Sequence, residues 1–186
     1  MYQTDEYLLE LALQGDGSSF GELVRRWERK IFGFIRRYVG NSEEARDLTQ
    51  DTFTKAYKNL GRLSDPAKFS SWLYKIALNE CRMGFRRQKG SYSVSLEESQ
   101  QELSRIDRDE HTPDVAFEAR ERVKRLRQAI ENLPREQREV ILMKEYQGLM
   151  FYEIAEILNI PLSTAKSRMY LGLKSLRRLM EERDEV

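Results

Sequence analysis

The stretch FYEIAEILNIPLSTAKSRMYLGLKSLRRLM, residues 151–180, carries the most specific folding pattern in the chain. The apolar residues of a first short helix fall on one face: Ile154, Ala155 and Leu158. The sequence Asn159-Ile160-Pro161 then ends that helix after about two turns. The small side chain of Ala155 is suited to a place where a second helix crosses closely. The pattern predicts a short helix followed by a tight turn.

A second helix follows the turn, and Ser163 is placed to cap its N-terminus. Its inward side chains recur at steps of four residues: Ala165, Met169 and Leu173. Two short helices joined by a tight turn form the helix-turn-helix arrangement. In that arrangement the second helix enters the DNA major groove, and its N-terminal residues contact base edges.

The outward face of the second helix carries hydroxyls and cations, namely Ser163, Thr164, Lys166, Ser167, Arg168, Tyr170 and Lys174. Such side chains bind phosphates and read bases. No acidic residue occurs between Ile157 and Met180. The alternative is a helical hairpin with a solvated basic face, but the turn pattern together with the charge favours DNA binding.

Apolar residues recur at helical spacing through the N-terminal half as well. One stripe contains Leu23, Trp27, Ile31, Phe34 and Tyr38. After a turn at residues 40–41, with Ser42 as the expected N-cap, a second stripe contains Ala45, Leu48, Thr52, Ala56 and Leu60. A third helix is expected to start near Phe69, with an apolar face of Phe69, Trp72, Leu73, Ile76 and Ala77. No alternating β pattern competes, so the predicted fold class is all-α.

The third helix also carries a polar stripe, formed by Lys75, Asn79, Arg82 and Arg86. We expect Trp72 in the core, and Tyr74 and Phe85 on the side away from it. A cationic groove with nearby rings is what single-stranded nucleic acid needs, because phosphates are neutralised and unstacked bases find a surface. The alternative is an ordinary solvated face.

A different surface is predicted on the helix before it. Asp47, Gln50, Asp51 and Thr54 form a continuous acidic and amide patch. Acids near a helix N-terminus are also favoured by the helix dipole, which is the simpler explanation. DNA would repel this patch, so a functional role requires a protein partner.

Apolar residues no longer recur at helical spacing between about residues 90 and 116, where the chain is polar and acidic. Such a segment buries too little to offset its ordering entropy, which predicts a linker, or alternatively an exposed, partly helical connector. Helices resume at Phe117 with a stripe of Val123, Leu126, Ile130 and Leu133. A further helix follows Pro134 and ends at Gly148. We therefore expect two small helical domains, 1–90 and 117–186, joined by a flexible linker, 91–116.

Bulk composition narrows the class of protein. The 186 residues contain 32 Lys and Arg against 31 Asp and Glu, so the distribution of charge matters more than its sum. One cysteine, Cys81, excludes an internal disulfide, and one histidine, His111, supplies no metal site. We expect no cofactor and no metal. Acidic residues interrupt the N-terminal segment, so it lacks the apolar core of a signal peptide. No apolar run is long enough to span a membrane. We therefore expect a cytoplasmic protein that does not insert into membranes.

An enzyme, such as a nuclease, lacks the required residues. His111 lies in the predicted linker, no glycine-rich phosphate loop is present, and Cys81 is expected to be a small hydrophobe rather than a nucleophile. A conventional helix-turn-helix regulator remains an alternative, but it gives no role to the acidic patch.

Three quoted motifs together carry a family resemblance: EEARDLTQDTFTKAYKNL (43–60), FSSWLYKIALNECRMGFRRQKG (69–90) and LPREQREVILMKEYQGLMFYEIAEILNIPLSTAKSRMYLGLKSLRR (133–178). In this order they resemble an extracytoplasmic-function (ECF) sigma factor, a sigma-70-type factor that has only regions 2 and 4. The resemblance implies a bacterial transcription initiation factor that joins RNA polymerase core and directs it to promoters. It also implies an anti-sigma factor as regulator.

The resemblance implies a role for each surface. Asp47, Gln50 and Asp51, with neighbouring Thr54, would contact the clamp coiled coil of the largest polymerase subunit. The loop 60–70 and Asn79 would capture a flipped base of the −10 non-template strand, beside Lys75, while Arg82, Arg86 and Arg87 hold phosphates. Ser163, Thr164, Lys166, Ser167, Arg168, Tyr170 and Lys174 would face the −35 major groove. Leu171 and Gly172 stand where many members have a basic residue.

Overall fold

The computed structural model describes residues 3–88 and 113–181, and within these ranges all regular secondary structure is helical, which confirms the all-α prediction. The helices are α1 Asp5–Leu13, α2 Gly17–Val39, α3 Ser42–Lys58, α4 Phe69–Gln88, α5 Pro113–Glu131, α6 Arg135–Ile141, α7 Phe151–Leu158 and α8 Leu162–Glu181. Short 3₁₀ turns occupy Leu60–Arg62 and Pro66–Lys68, and a π turn, Leu142–Tyr146, extends α6. The predicted linker lies mostly outside the described residues, but α5 begins four residues before the expected restart at Phe117.

By its internal contacts the chain forms two compact units. One comprises Met1–Ser93 with Tyr152–Asn159, and the other Val94–Phe151 with Ile160–Val186. The sequence-based domain boundaries do not anticipate that α7 is grouped with the first unit.

Helices α2, α3 and α4 pack against one another to form the core of the first unit, and α1 packs on α2. The α3 stripe is buried along its whole length, as predicted: Ala45, Leu48, Thr52, Ala56 and Leu60. The α2 stripe is buried at every position except Trp27, which is half-buried. The Trp27 indole N–H donates to the Asp5 carboxylate at 2.8 Å, so this ring attaches α1 to α2.

The turn between α2 and α3 has one cap that sequence reasoning misplaced. Gly40 closes α2 in the left-handed conformation, with φ 85°, which glycine adopts without steric cost. Asn41, not Ser42, is the N-cap of α3, because its side-chain oxygen accepts from the Glu44 N–H at 3.0 Å. The Ser42 hydroxyl instead accepts from Arg36 Nε at 2.8 Å.

The predicted core face of α4 was wrong in three positions, one of them Ile76, which is half-buried. Tyr74 is only 2% exposed, whereas Trp72 is half-buried. The Tyr74 ring meets those of Phe34 and Trp27 edge-on, at centroid distances of 5.5 and 6.3 Å, and burial raises the pKa of its phenol. The physical reason is that α4 packs against both α2 and α3, so its buried sector is wider than one stripe.

Buried side chains on α4 thus include Phe69, Leu73, Tyr74, Ala77, Leu78 and Cys81. Burial of Cys81 agrees with its expected role as a small hydrophobe. The side chain of Phe85 lies outside the described residues.

In the second unit α8 packs on α5 and α6. Ala165 and Met169 are buried as predicted, but Leu173 is 48% exposed, and the buried face continues through Gly172 and Leu176. Steps of four residues drift by about 40° each around a helix of 3.6 residues per turn, so the next buried position after Met169 lies three residues on.

The α5 stripe is buried only in its last part. Ile130 and Leu133 are buried, whereas Val123 and Leu126 are exposed. The helix that follows Pro134 extends through the π turn to Tyr146, and Gly148 ends it with φ 68°. This end agrees with the prediction.

Candidate functional site

The acidic and amide patch lies on the exposed side of α3. All four of its members, Asp47, Gln50, Asp51 and Thr54, are exposed. The buried stripe on the opposite side packs α3 on α2 and α4, so these polar side chains face solvent. Only Glu43 and Glu44 lie in the first turn of α3. Because the helix dipole acts mainly within that turn, it does not explain the acids further along.

Next to this patch lies an apolar groove that sequence reasoning missed. It lies between α2 and α3, has a volume of about 590 Å³, and its lining includes Phe20, Val24, Phe32, Phe53 and Tyr57. Gln50 and Thr54 line the groove as well as belonging to the patch. Phe53 and Tyr57 are one turn apart beside the acids, which is the signal that could have revealed the groove. A protein ligand can therefore contact apolar and anionic groups together.

The polar stripe of α4 is partly described. Lys75 and Asn79 are exposed, and Arg82 is half-buried. Arg86 and Arg87 lie within α4, but their side chains are outside the described residues. Exposure of Asn79 leaves its amide accessible to a base or a phosphate.

An ion pair joins α3 to α4. Lys55 Nζ lies 2.6 Å from both carboxylate oxygens of Glu80, whose side chain is only 7% exposed. Glu80 is the single acid between residues 69 and 90. A single acid in a cationic segment can be noticed in the sequence. Helical periodicity could not identify Lys55 as its partner.

The loop between α3 and α4 is held at both ends. Leu60 and Phe69 are buried, while Gly61, Arg62 and Lys68 between them are exposed. Asp65 caps the second 3₁₀ turn, since its carboxylate accepts from the Ala67 N–H at 3.0 Å. Two buried anchors and a cap therefore give this short loop a defined backbone.

The polar face of α8 is presented as predicted. Five of its predicted residues are exposed, namely Ser163, Lys166, Ser167, Tyr170 and Lys174, and two, Thr164 and Arg168, are half-buried. Tyr170 is 70% exposed, so its ring is accessible to a ligand.

Ser163 lies inside the first turn of α8 rather than at its N-cap. The Pro161 carbonyl accepts from the Thr164 and Ala165 N–H groups at 3.0 and 3.1 Å. Asn159, with φ 54°, turns the chain after α7. The predicted buried face of α7 is confirmed, with Ile154, Ala155 and Leu158 all buried.

Two negative findings concern the described residues. Within 3–88 and 113–181, no group of three or more His, Cys, Asp and Glu side chains is placed to hold a metal ion. No helix within these two ranges is long and apolar enough to cross a membrane.

Comparison with known protein families gives two matches. Residues 23–91 match the family Sigma-70 region 2, and residues 124–176 match Sigma-70, region 4. The first match contains the acidic patch and the polar stripe of α4. The second contains α6, α7 and most of α8.

Curated relatives match along nearly the whole chain. The ECF RNA polymerase sigma factor SigW of Bacillus subtilis is 35% identical over 91% of this chain and 92% of its own length. The ECF RNA polymerase sigma-E factor of Escherichia coli K12 is 31% identical over 93% of this chain and 92% of its own length.

Solved structures agree in fold. CnrH, in complex with the cytosolic domain of CnrY, has a TM-score of 0.72 at 24% identity and covers 97% of this chain and 99% of its own. The sigma factor RpoE of Bartonella quintana, in complex with the anti-sigma factor NepR, has a TM-score of 0.66 at 21% identity and covers 87% of this chain and 96% of its own. On the two family matches and the full-length relatives, the chain belongs to the extracytoplasmic-function family of RNA polymerase sigma factors.

Proposed function

We propose that this ECF sigma factor docks on RNA polymerase core through the exposed patch of Asp47, Gln50, Asp51 and Thr54, which binds the clamp coiled coil of the largest subunit. The observation that carries the proposal is the position of this anionic patch on α3, exposed and apart from the cations of α4. DNA repels such a patch, whereas a protein surface with basic residues is attracted to it.

The α4 surface is proposed to hold the −10 non-template strand. Asn79 and the loop 60–70 would capture an unstacked base, with Lys75, Arg82, Arg86 and Arg87 on the phosphates. Exposure of Lys75 and Asn79 supports this role. The defined backbone of the anchored loop also supports it, because an ordered pocket pays less entropy when it binds a base.

The α8 surface is proposed to read the −35 element in the major groove through Ser163, Thr164, Lys166, Ser167, Arg168, Tyr170 and Lys174. Hydroxyls and cations on the first turns of a recognition helix suit both phosphate anchoring and base contact. The strong exposure of Tyr170 is consistent with a contact that DNA would complete.

Promoter opening then follows from binding two DNA forms at once. Duplex contact by residues 117–186 supplies register, and strand capture by residues 1–90 offsets part of the unstacking cost of roughly a few kcal/mol. Two weak modules on a linker gain by effective concentration when polymerase holds both sites within reach. The factor favours opened DNA because it binds that form better.

In this proposal RNA polymerase catalyses transcription. The sigma factor itself is therefore proposed to be no enzyme and to need no cofactor. It would act in the cytoplasm, where core polymerase and DNA are found. An anti-sigma factor is the proposed regulator, and the fold's solved neighbour RpoE of Bartonella quintana was determined with the anti-sigma factor NepR.

Transcription in vitro with purified core polymerase over a random promoter library tests this function directly. We expect the sigma factor to select templates that share two sequence elements, and core alone to select none. Failure to direct transcription from any template would refute the proposal.

A helix-turn-helix regulator that acts without polymerase is the competing function. It would bind duplex DNA tightly by itself, whereas the proposal expects weak binding without core. A gel-shift titration of the free protein on the selected promoter distinguishes the two, and tight specific binding would favour the regulator.

A further inference from the structure

The ion pair between Lys55 and Glu80 connects the two surfaces of the first unit. On α3, Lys55 directly follows Thr54 of the acidic patch and lies one turn after Asp51. On α4, Glu80 directly follows Asn79. The pair thus joins a residue beside the proposed docking surface to one beside the proposed base-capturing amide.

We propose that Lys55 and Glu80 are positioning residues that fix α4 against α3, so that Asn79 is held in the correct place for strand capture once α3 is docked on polymerase. This proposal rests on the proposed function, and it names two residues that contribute to the specificity of the α4 surface for the −10 strand. Neither residue needs to touch DNA or polymerase.

The geometry supports a rigid connection. The ammonium of Lys55 lies 2.6 Å from each Glu80 oxygen, and the Glu80 side chain is 7% exposed. The Lys55 side chain is 44% exposed, so only the carboxylate is buried. Loss of Lys55 would leave that buried carboxylate without its cation. The ion pair adds a directional contact to the packing of α3 on α4.

Simple electrostatics predicts the opposite result for one substitution. Glu80→Gln removes a negative charge close to a surface proposed to bind phosphates, which by itself strengthens nucleic-acid binding. A positioning role predicts weaker and less selective capture. The sign of the effect therefore separates the two explanations.

The test uses holoenzyme formed from core and the full chain, and two single-stranded oligonucleotides. One carries the non-template −10 strand of the strongest promoter recovered from the library, and the other a scrambled version. The ratio of the two affinities measures selective capture. Affinity for core and the melting temperature are measured separately for each variant, with binding assayed well below the melting temperature.

We expect Glu80→Gln and Lys55→Met each to reduce the affinity ratio by roughly fivefold or more, which is within the coupling range of residues in contact. The affinity ratio of the double variant should fall no further than that of the more strongly affected single variant. Lys55→Arg should keep most of the ratio. Affinity for core should stay unchanged. Glu10→Gln, an exposed acid of α1, is the control for the change in charge.

An unchanged ratio with a lowered melting temperature would mean that the pair only stabilises the fold, and would overturn the proposal. Tighter binding of Glu80→Gln to both oligonucleotides would also overturn it, in favour of charge alone. If the unaltered holoenzyme does not distinguish the oligonucleotides, strand capture itself is wrong and both proposals fail.

Discussion

Gly172 on α8 approaches Ile141 on α6 so closely that a β-carbon at position 172 would lie 2.7 Å from Ile141 Cδ1. It would also lie 3.3 Å from Cβ of Gln137. Gly172 lies on the buried face of α8. Its absence of a side chain allows the recognition helix to approach the helix that supports it.

Gly172→Ala should therefore destabilise the second unit, by about 1 kcal/mol, because overpacking exceeds the gain in helix propensity. Gly21→Ala is the matched control, since a β-carbon at Gly21, also within a helix, would meet nothing within 4 Å. It should stabilise α2 by about 0.5–1 kcal/mol. Native-state hydrogen exchange in α8 and α2 measures both effects. A similar gain in stability in both helices would show that the contact of α8 with α6 does not require glycine at position 172.

Substitution of Asp47 and Gln50 by alanine should weaken binding to core polymerase at least tenfold, because both side chains are exposed on the proposed docking face. The unfolding transition should stay unchanged for the same reason. Surface plasmon resonance with immobilised core measures the affinity, and Glu10→Ala serves as an exposed acidic control on α1. Unchanged core binding by the double variant would place docking elsewhere.

Lys166→Ala should weaken binding of holoenzyme to duplex −35 DNA about equally across sequences. It should also reduce the slope of log affinity against log salt by about one, if this exposed cation neutralises one phosphate. Fluorescence anisotropy over a range of salt concentrations measures the slope. Lys124→Ala on α5, outside the recognition helix, is the control. A change in sequence preference with no change in slope would instead assign base contact to Lys166.

Asp16 should make the start of α2 sensitive to acid. Hydrogen bonds from the Ser19 and Ser18 hydroxyls and the Ser18 N–H hold the pKa of this N-cap carboxyl below its ordinary value of 3.8. Because the folded-state pKa is lowered, the stabilisation is fully present above the unfolded-state value and is lost as the pH falls through the folded-state pKa.

Asp16→Asn keeps a capping oxygen but cannot titrate. Thermal melts between about pH 2 and pH 6 should show the native protein more stable than this variant above about pH 4. The difference should shrink as the pH falls further. A difference that does not depend on pH would show that the charge of Asp16 contributes nothing to the cap.

The sequence by itself determined the helical class, the regular stripes of α2 and α3, and the exposure of the acidic patch. A stripe such as Ala45, Leu48, Thr52 and Ala56 needs only the period of the helix and the preference of apolar groups for the interior. The helix-turn-helix pattern and the family resemblance followed from residue order in the same way. These features are local along the chain.

The tertiary structure decided how wide each buried sector is and which residues meet across helices. Tyr74 is buried and Trp72 is half-exposed because α4 has two neighbouring helices. Position 172 on the inner face of α8 has little room for a β-carbon because Ile141 of α6 lies close by. The ion pair of Lys55 with Glu80 joins residues 25 positions apart. Periodicity gives the direction in which a side chain points, but the number and distance of the neighbours it meets are set only when the helices pack.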